Sequence, residues 1–379
     1  MKLDLLIKNG RVIDPRNGTD DIRQIGVKHS RIVDLAEAES VEALREIDAS
    51  GCLVTPGLID FHGHINYRAS DIATHPDLNS IPNCVTAVVD CGCTGVSNCR
   101  AFLDSLSRYC IKSRIFINVS PLGQSTRQFP EQLLPESWDY EQFESIFEYS
   151  KERIIGLKIR ISRNIVGNLQ LETLIKGIEV AERFNKKVLV HPSDPPAPVS
   201  EILGLLRRGD IYCHVYNNQG HSILENGEVC DAAWKARERG VLFDLAHGRR
   251  NFSWDVAEKA FREGFYPDLI GSDTTAMTWN YRPIYNLLNV MSKALFLGME
   301  VAEVIRCVTD NAAVAMNLDG VLGTLTANTC ADIAIFNIKE GKYPLVDANG
   351  IVKAAERIFV PLCTIVDGQI LYRNAEFWG

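Results

Sequence analysis

Residues 56–64 read Pro-Gly-Leu-Ile-Asp-Phe-His-Gly-His, and this stretch decides both the fold and the candidate site. Leu58 to Phe61 is a short apolar run opened by Pro-Gly, which predicts a buried strand that begins after a turn. Because side chains alternate between the two faces of a strand, His62 and His64 should point the same way. Two imidazoles on one face can share a metal ion, but an isolated pair would favour two structural histidines.

From Pro56 onward, strand patterns alternate with amphipathic helical patterns, which predicts parallel βα units. Eight segments are strand candidates: Leu58–His64, Val85–Cys91, Arg114–Val119, Ile154–Arg160, Lys187–His191, Ile211–Val215, Val241–Leu245 and Leu269–Asp273. Eight strands, each followed by a helix or a long loop, fit an α/β fold of the closed (β/α)8 TIM-barrel type. An open doubly wound sheet is disfavoured because no G-x-G-x-x-G follows any of these strands.

The segments on either side of the barrel carry short strands and tight turns. Asn9-Gly10, His29-Ser30 and Asp367-Gly368 each predict a hairpin turn. We expect the two ends of the chain to pair into one small β-sandwich domain. The predicted limits are residues 1–55 with 325–379 for this composite domain, and 56–324 for the barrel.

Composition indicates an ordinary globular protein, with 46% hydrophobic and 23% charged residues among 379. The net charge of -8 argues against a nucleic-acid surface, which would be basic. The first ten residues have charges within their apolar stretch, so they predict neither a signal peptide nor a membrane span. The 11 cysteines are odd in number and dispersed, which favours reduced thiols and a cytoplasmic location. Cys91 and Cys93 are accordingly interpreted as buried free thiols.

Five of the predicted strands carry residues of the kinds that bind metal ions. They are His62 and His64 in the first strand, Lys158 in the fourth, His191 in the fifth, His214 in the sixth and Asp273 in the eighth. The carboxyl ends of barrel strands meet at one face, where catalytic groups lie. Each residue alone has another explanation, such as a helix cap for Asp273 or a solvent-reaching chain for Lys158. Five strands that present such groups to one face favour a metal site.

This set of motifs closely resembles the amidohydrolase superfamily of metal-dependent hydrolases, over essentially the whole chain. Within that superfamily the chain is most similar to the dihydroorotase-related deacetylase branch. The motifs that carry this likeness are Gly-Leu-Lys-x-Arg at 156–160, the Val-His-x-x-x-Pro-Pro stretch that ends at Pro196, Phe243–Gly248 and Met291–Lys293.

The resemblance implies two divalent cations, expected to be Zn²⁺. It assigns His62, His64 and Asp273 to a buried ion, His191 and His214 to a more exposed ion, and Lys158, N-carboxylated, to both ions as a bridge. An unmodified ammonium at Lys158 would repel the cations, whereas carboxylation inverts its charge and supplies two oxygens. Asp273 would also be catalytic, as the group that takes the proton of the attacking water and passes it to the leaving group.

Three further residues are candidates for substrate binding. Arg160 shares a strand face with Lys158, so it could bind a substrate carboxylate or form a structural ion pair at the barrel mouth. His221 lies in a loop near the metal face, and His247 follows the seventh strand. The loop after Asp273 lacks a histidine that related sequences often carry, which leaves the substrate open.

The predicted function is that of a binuclear metal-dependent hydrolase. It would cleave an amide, cyclic amide or ester bond of a small organic acid, as a deacetylase or a dihydroorotase-like enzyme does, by attack of a hydroxide that bridges the two metal ions. The alternative within enzymes is an aminopurine or aminopyrimidine deaminase, although Lys158 weighs against a single-metal type. A non-catalytic scaffold is disfavoured because such relatives have typically lost ligands.

We expect a small-molecule substrate and no membrane or nucleic-acid partner. Association into a homo-oligomer is common on this fold, but no sequence feature fixes a subunit number.

Overall fold

The computed structural model describes residues 1–36 and 40–378, and most of its strands belong to two large sheets. In chain order the strands are β1 (Lys2–Leu3), β2 (Leu5–Asp14), β3 (Thr19–Lys28), β4 (Arg31–Val33), β5 (Glu42–Ala43), β6 (Glu46–Asp48), β7 (Leu53–Pro56), β8 (Leu58–Gly63), β9 (Val85–Cys91), β10 (Lys112–Asn118), β11 (Ile154–Arg160), β12 (Lys187–His191), β13 (Ile211–Cys213), β14 (Leu224–Glu225), β15 (Glu228–Val229), β16 (Leu242–Asp244), β17 (Ile333–Val346), β18 (Val352–Val366) and β19 (Gln369–Arg373).

Helices follow most of the central strands. They are α1 (Pro76–Ser80), α2 (Cys99–Ser105), α3 (Tyr140–Tyr149), α4 (Arg163–Val166), α5 (Glu172–Arg183), α6 (Val199–Leu205), α7 (Asp231–Arg239), α8 (Trp254–Arg262), α9 (Leu287–Phe296), α10 (Val301–Cys307) and α11 (Asp310–Ala315). Across residues 1–36 and 40–378, no helix combines the length and the apolar character needed to span a membrane.

The central sheet is an almost closed parallel barrel of seven strands, in the order β16-β13-β12-β11-β10-β9-β8. Its strands are short and largely apolar on both faces, as expected when helices cover the outside and side chains fill the inside. Parallel register sets Arg160 of β11 beside His191 of β12. The strand ends that carry the predicted ligands therefore meet on one face.

The predicted eighth strand, Leu269–Asp273, is wrong as a regular strand. Single parallel bridges connect this segment to Asp244 on one side, through Leu269, and to Gly63 on the other, through Thr274. Two N–H groups of the segment donate to side-chain carboxylates instead of strand carbonyls, that of Gly271 to Asp244 and that of Ser272 to Asp60. The backbone therefore closes the barrel without forming a ladder, and it delivers Asp273 in a left-handed conformation with φ of 52°.

The two ends of the chain form a second sheet of eight strands, in the order β19-β18-β17-β7-β2-β3-β4 with β6 paired to β2. Its own apolar cluster includes Leu5, Val27 and Ile333. The association of the two termini is confirmed in this form, whereas a separate β-sandwich is not. Because β7 ends at Pro56 and β8 begins at Leu58, the first connection between the two sheets is the single residue Gly57. The domain limits themselves remain a prediction.

Of the three predicted hairpin turns, the first is wrong. Asn9-Gly10 lies inside the continuous strand β2, where the register with β3 shifts between Ile7 and Gly10. A Cβ at Gly10 would lie 2.4 Å from Cγ2 of Val54, so close packing against β7 rather than a turn explains this glycine. His29-Ser30 and Asp367-Gly368 do turn between antiparallel strands, with positive φ at all four residues.

Candidate metal centre

His62, His64 and Asp273 form one buried group at the carboxyl ends of the barrel strands. Their ligand atoms all lie within 4.8 Å of one another. Oδ1 of Asp273 is 3.1 Å from Nε2 of His64. Alternation along β8 brings the two histidines to the same side, and the irregular segment after Leu269 brings the carboxylate to them. This arrangement could hold a metal ion.

Lys158 reaches the same group from β11. Its Nζ lies 3.1 Å from Nε2 of His62 and 3.7 Å from Sγ of Cys213, and the side chain is 1% exposed. Among the described residues no carboxylate forms an ion pair with it, although a buried ammonium without a partner is costly. Lys158 is therefore part of the same buried cluster as His62.

Cys91-Gly92-Cys93 makes room for this lysine. Gly92 has φ of 94°, and a Cβ there would lie 2.7 Å from Cγ of Lys158. Glycine is thus required by both the backbone and the close approach. The cysteines on either side are buried and free, as predicted, and all 11 cysteines in the described part of the chain are free thiols.

His191 and His214 extend the cluster from β12 and from the end of β13. Nε2 of His214 is 2.7 Å from Nδ1 of His191, and Nδ1 of His214 lies 2.6 Å from the carbonyl oxygen of Ala246. The His214 ring centroid is 5.2 Å from that of His62, which joins the two histidine groups. Like Asp273, His214 has a positive φ, and such strain in residues other than glycine is typical of functional sites.

Burial sets the protonation states of this cluster. Desolvation lowers the pKa of His62 and His191 well below the usual value, and it lowers that of His214 to about 3. These rings are therefore neutral at pH 7, the form that binds metals. For Asp273, burial opposes ionisation, but the hydrogen bond with His64 and the nearby rings hold its pKa below the ordinary value. A carboxylate among neutral imidazoles is a donor set that suits a divalent cation.

Sequence reasoning missed two residues that orient the histidines. Oδ2 of Asp244 lies 2.9 Å from Nδ1 of His62, and Sγ of Cys93 lies 3.4 Å from Nδ1 of His64. Burial raises the pKa of Asp244 to about 7. Partners of this kind fix the tautomer and the ring orientation of metal-binding histidines. Asp244 could have been found from the sequence as an acid at the end of the seventh strand. No sequence pattern indicates the contact of the Cys93 thiol with His64.

A cavity of about 530 Å³ opens above the cluster. Its polar and charged lining comprises His62, His64, Gln124, Arg127, Lys158, Arg160, Ser162, Asn164, His191, Ser193, Asp194, Gln219, Arg249, Arg250, Asn251, Asp273 and Thr275. Arg160 reaches this wall and also pairs with Glu131. The ion pair that the sequence predicted for Arg160 is therefore present, whereas its binding of a substrate carboxylate stays a prediction.

The other two predicted substrate contacts lie elsewhere. His221 is exposed and is not among the residues that line the cavity. His247 is fully buried, stacks on Phe252 with ring centroids 4.6 Å apart, and lies with Nε2 2.7 Å from Nζ of Lys293. These positions argue against direct contact with a substrate in the cavity.

A barrel whose strand ends gather imidazoles, a buried lysine and a carboxylate below one cavity defines the class of metal-dependent hydrolases. The chain belongs to the amidohydrolase family, whose pattern matches residues 53–371. Members of this family typically bind divalent metal ions. The chain is a hydrolase that acts on carbon–nitrogen bonds.

Individual relatives have several different activities. A deacetylase of Enterococcus faecalis is 30% identical over 380 residues, which cover 98% of this chain and 99% of the relative. The crystal structure of an adenine deaminase is similar with a TM-score of 0.89 and 30% identity, covering 98% of this chain and all of the other. The crystal structure of a dihydroorotase has a TM-score of 0.90 and 26% identity, with 98% and 99% coverage.

Proposed function

We propose that the protein is a binuclear hydrolase that cleaves an amide, cyclic amide or ester bond of a small organic acid. The observation that carries this proposal is the convergence of six donor groups from five places in the barrel. They are His62, His64, Lys158, His191, His214 and Asp273. The likeness to a deacetylase and to a dihydroorotase supports amide chemistry over other reactions of the fold.

The donor set supports two divalent cations, with Zn²⁺ the preferred ion for nitrogen and oxygen ligands. His62, His64 and Asp273 would hold one ion, and His191 and His214 the other. Lys158, as a carbamate, would serve both. When bound, the cations supply Lewis acidity, which lowers the pKa of water and polarises a carbonyl group.

Two residues of the protein would transfer protons and orient the substrate. Oδ1 of Asp273, held by His64, is ionised and lies at the cavity floor, where it would take a proton from the attacking water and deliver it to the leaving group. Arg160, fixed by Glu131 and adjacent to His191 in register, would bind a carboxylate of the substrate.

Deamination of an aminopurine or aminopyrimidine is the second candidate. The likeness to an adenine deaminase structure favours it. A deaminase of the single-metal type would not need a lysine buried beside His62, so Lys158 favours the two-metal hydrolase.

Metal analysis combined with a substrate panel tests the proposal. We expect two equivalents of divalent ion per chain, and turnover of a compound among N-acyl amino acids, acyl hydroxy acids, hydantoins and dihydroorotate. Lys158→Met should lower the metal content. Lys187→Met is its control, since Lys187 is partly buried but begins β12 at the opposite end of the barrel. A protein that binds no divalent ion would refute the proposal, and release of ammonia from an aminopurine would favour deamination. A cytoplasmic location, a small-molecule substrate and a homo-oligomer remain predictions.

A further inference from the structure

Three arginines surround the mouth of the active-site cavity. Arg127 comes from the loop after β10, and Arg249 and Arg250 come from the loop after β16. Nη1 of Arg127 lies 2.9 Å from Sδ of Met277, and Nη1 of Arg249 lies 3.5 Å from the same sulfur. Two guanidinium groups from different loops therefore converge on one atom.

This convergence leaves positive charge without compensation. A thioether is only a weak acceptor and carries no charge. Arg127 has a long ion pair with Asp71, at 3.6 Å. Within residues 1–36 and 40–378, Arg249 has no carboxylate partner, and the Arg250 guanidinium has no hydrogen-bond or ion-pair partner.

Two other charged residues that line the cavity, Arg160 and Asp194, have ion-pair partners within the protein. Arg160 is paired with Glu131, and Asp194 lies 3.7 Å from Arg163. In a chain of net charge -8, an excess of unpaired arginine at one opening is therefore a local feature rather than the general character of the surface.

The loop that carries Arg249 and Arg250 is anchored on both sides. The N–H of Gly248 donates to the carbonyl of Ser272, at 3.1 Å. Oδ1 of Asn251 accepts a hydrogen bond from Ser193, at 2.6 Å. Gly248 has φ of 52°, and a Cβ there would lie 2.2 Å from Oδ2 of Asp273. The backbone that carries the two arginines is thus held at a fixed place relative to Asp273, which sets the distance over which their side chains can reach a substrate.

We propose that Arg249 and Arg250, together with Arg127, form an oxyanion-binding subsite. The substrate would carry a carboxylate or a phosphate monoester at the end remote from the bond that is cleaved. Guanidinium groups match the geometry of both anions and bind them through paired hydrogen bonds. This inference rests on the proposed hydrolase function, and it disfavours neutral nucleobases as preferred substrates.

Anion binding to the metal-loaded protein tests the subsite without requiring turnover. Calorimetry at low ionic strength, where exposed charges are least screened, would compare dicarboxylates of four to six carbons with monocarboxylates of equal length. We expect the second carboxylate to tighten binding roughly tenfold at the best length, as one or two charge-assisted hydrogen bonds would. A further titration with 3-phosphooxypropionate would show whether the protein prefers a phosphate or a carboxylate as the remote group.

The matched variants are R249A/R250A and R262A. Arg262 is an exposed arginine at the end of α8 and lies outside the cavity lining. The tighter binding of dicarboxylates than of monocarboxylates should disappear in R249A/R250A and persist in R262A. The metal content of the two variants should be equal. An absent gain in the wild type, or a gain that survives in R249A/R250A, would overturn the subsite. Loss of hydrolysis alone would bear on the proposed function, since selectivity for dianions is measured without it.

Discussion

Asp244 holds His62 across the gap in the barrel sheet, with Oδ2 of Asp244 2.9 Å from Nδ1 of His62. Both side chains are almost completely buried. The other carboxylate oxygen accepts the N–H groups of Ala246 and Gly271, so the acid cannot rotate away. As a result, Nε2 of His62 is directed at Lys158.

Replacing Asp244 by asparagine should weaken metal binding roughly 10- to 100-fold, because an amide can stabilise the wrong tautomer of His62. Competition with a chromophoric chelator would measure the affinity. Asp14→Asn is the control, since Asp14 is equally buried but lies in the terminal sheet, hydrogen-bonded to Thr324. Equal affinities of the two variants would show that Asp244 does not position His62.

Lys158→Ala should remain folded but lose most of the more exposed ion. Turnover should fall by more than the roughly 10- to 100-fold typical of groups that only orient a ligand. If the lysine acts as a carbamate, a short carboxylic acid added with metal should restore part of the rate. Full activity of the variant, measured at matched metal content, would remove Lys158 from the site.

Asp273→Asn should keep metal but lower kcat by roughly 10²–10⁴-fold, because an amide cannot accept the proton that the carboxylate takes. Asp231→Asn, at the exposed start of α7, is the control for a change of charge without contact to the site. A rate for Asp273→Asn close to that of the control would mean that another residue transfers the proton.

Gly92→Ala should displace Lys158, since the added Cβ would lie within 3 Å of two of its side-chain carbons. We expect a loss of roughly 1–3 kcal/mol in the free energy of unfolding and a reduced metal content. Gly209→Ala separates backbone strain from crowding, because Gly209 has a similar φ of 84° but nothing within 4 Å of the added carbon. Unchanged metal content in Gly92→Ala would contradict this account.

Stability should also depend on pH through Lys187. Burial lowers its pKa from 10.5 to about 8. Between these two values the unfolded chain binds more protons than the folded protein, so the free energy of unfolding should rise with pH. Relative to Lys187→Met, the gain between pH 8 and 10.5 should be about 1–3 kcal/mol. Parallel denaturant titrations of the wild type and the variant would measure the free energy of unfolding at each pH. A difference between the two proteins that does not change with pH would rule out the lowered pKa of Lys187.

The clustering of the candidate ligands could largely be predicted because barrel geometry turns strand position into spatial position, while their binding of metal stays a prediction. His191 and Lys158 lie where their strand ends predict, and His62 and His64 lie together as alternation requires. The position of Asp244 at a strand end could be predicted in this way, but its partner could not, since a buried aspartate gives no local indication of a histidine 182 positions away.

The wrong predictions share a physical cause, which is that long-range contacts override local signals. Asn9-Gly10 has the composition of a turn, and Asn9 does have a positive φ of 61°, but pairing with β3 and packing on Val54 keep both residues within β2 as an irregularity of the strand. The segment from Leu269 to Asp273 has the composition of a strand, but the carboxylates of Asp60 and Asp244 capture its N–H groups. Neither competitor is visible within a window of neighbouring residues.

The single residue between β7 and β8 has a consequence for biosynthesis. β7 pairs with β17 as well as with β2, so the pairing beside the first histidine-bearing strand is completed only when residues 333–336 have left the ribosome. Pairings so distant in sequence form slowly. A nascent chain that already contains all six candidate ligands would therefore still lack the β7–β17 pairing next to His62 and His64, and we expect the site to assemble fully only after residues 333–336 emerge.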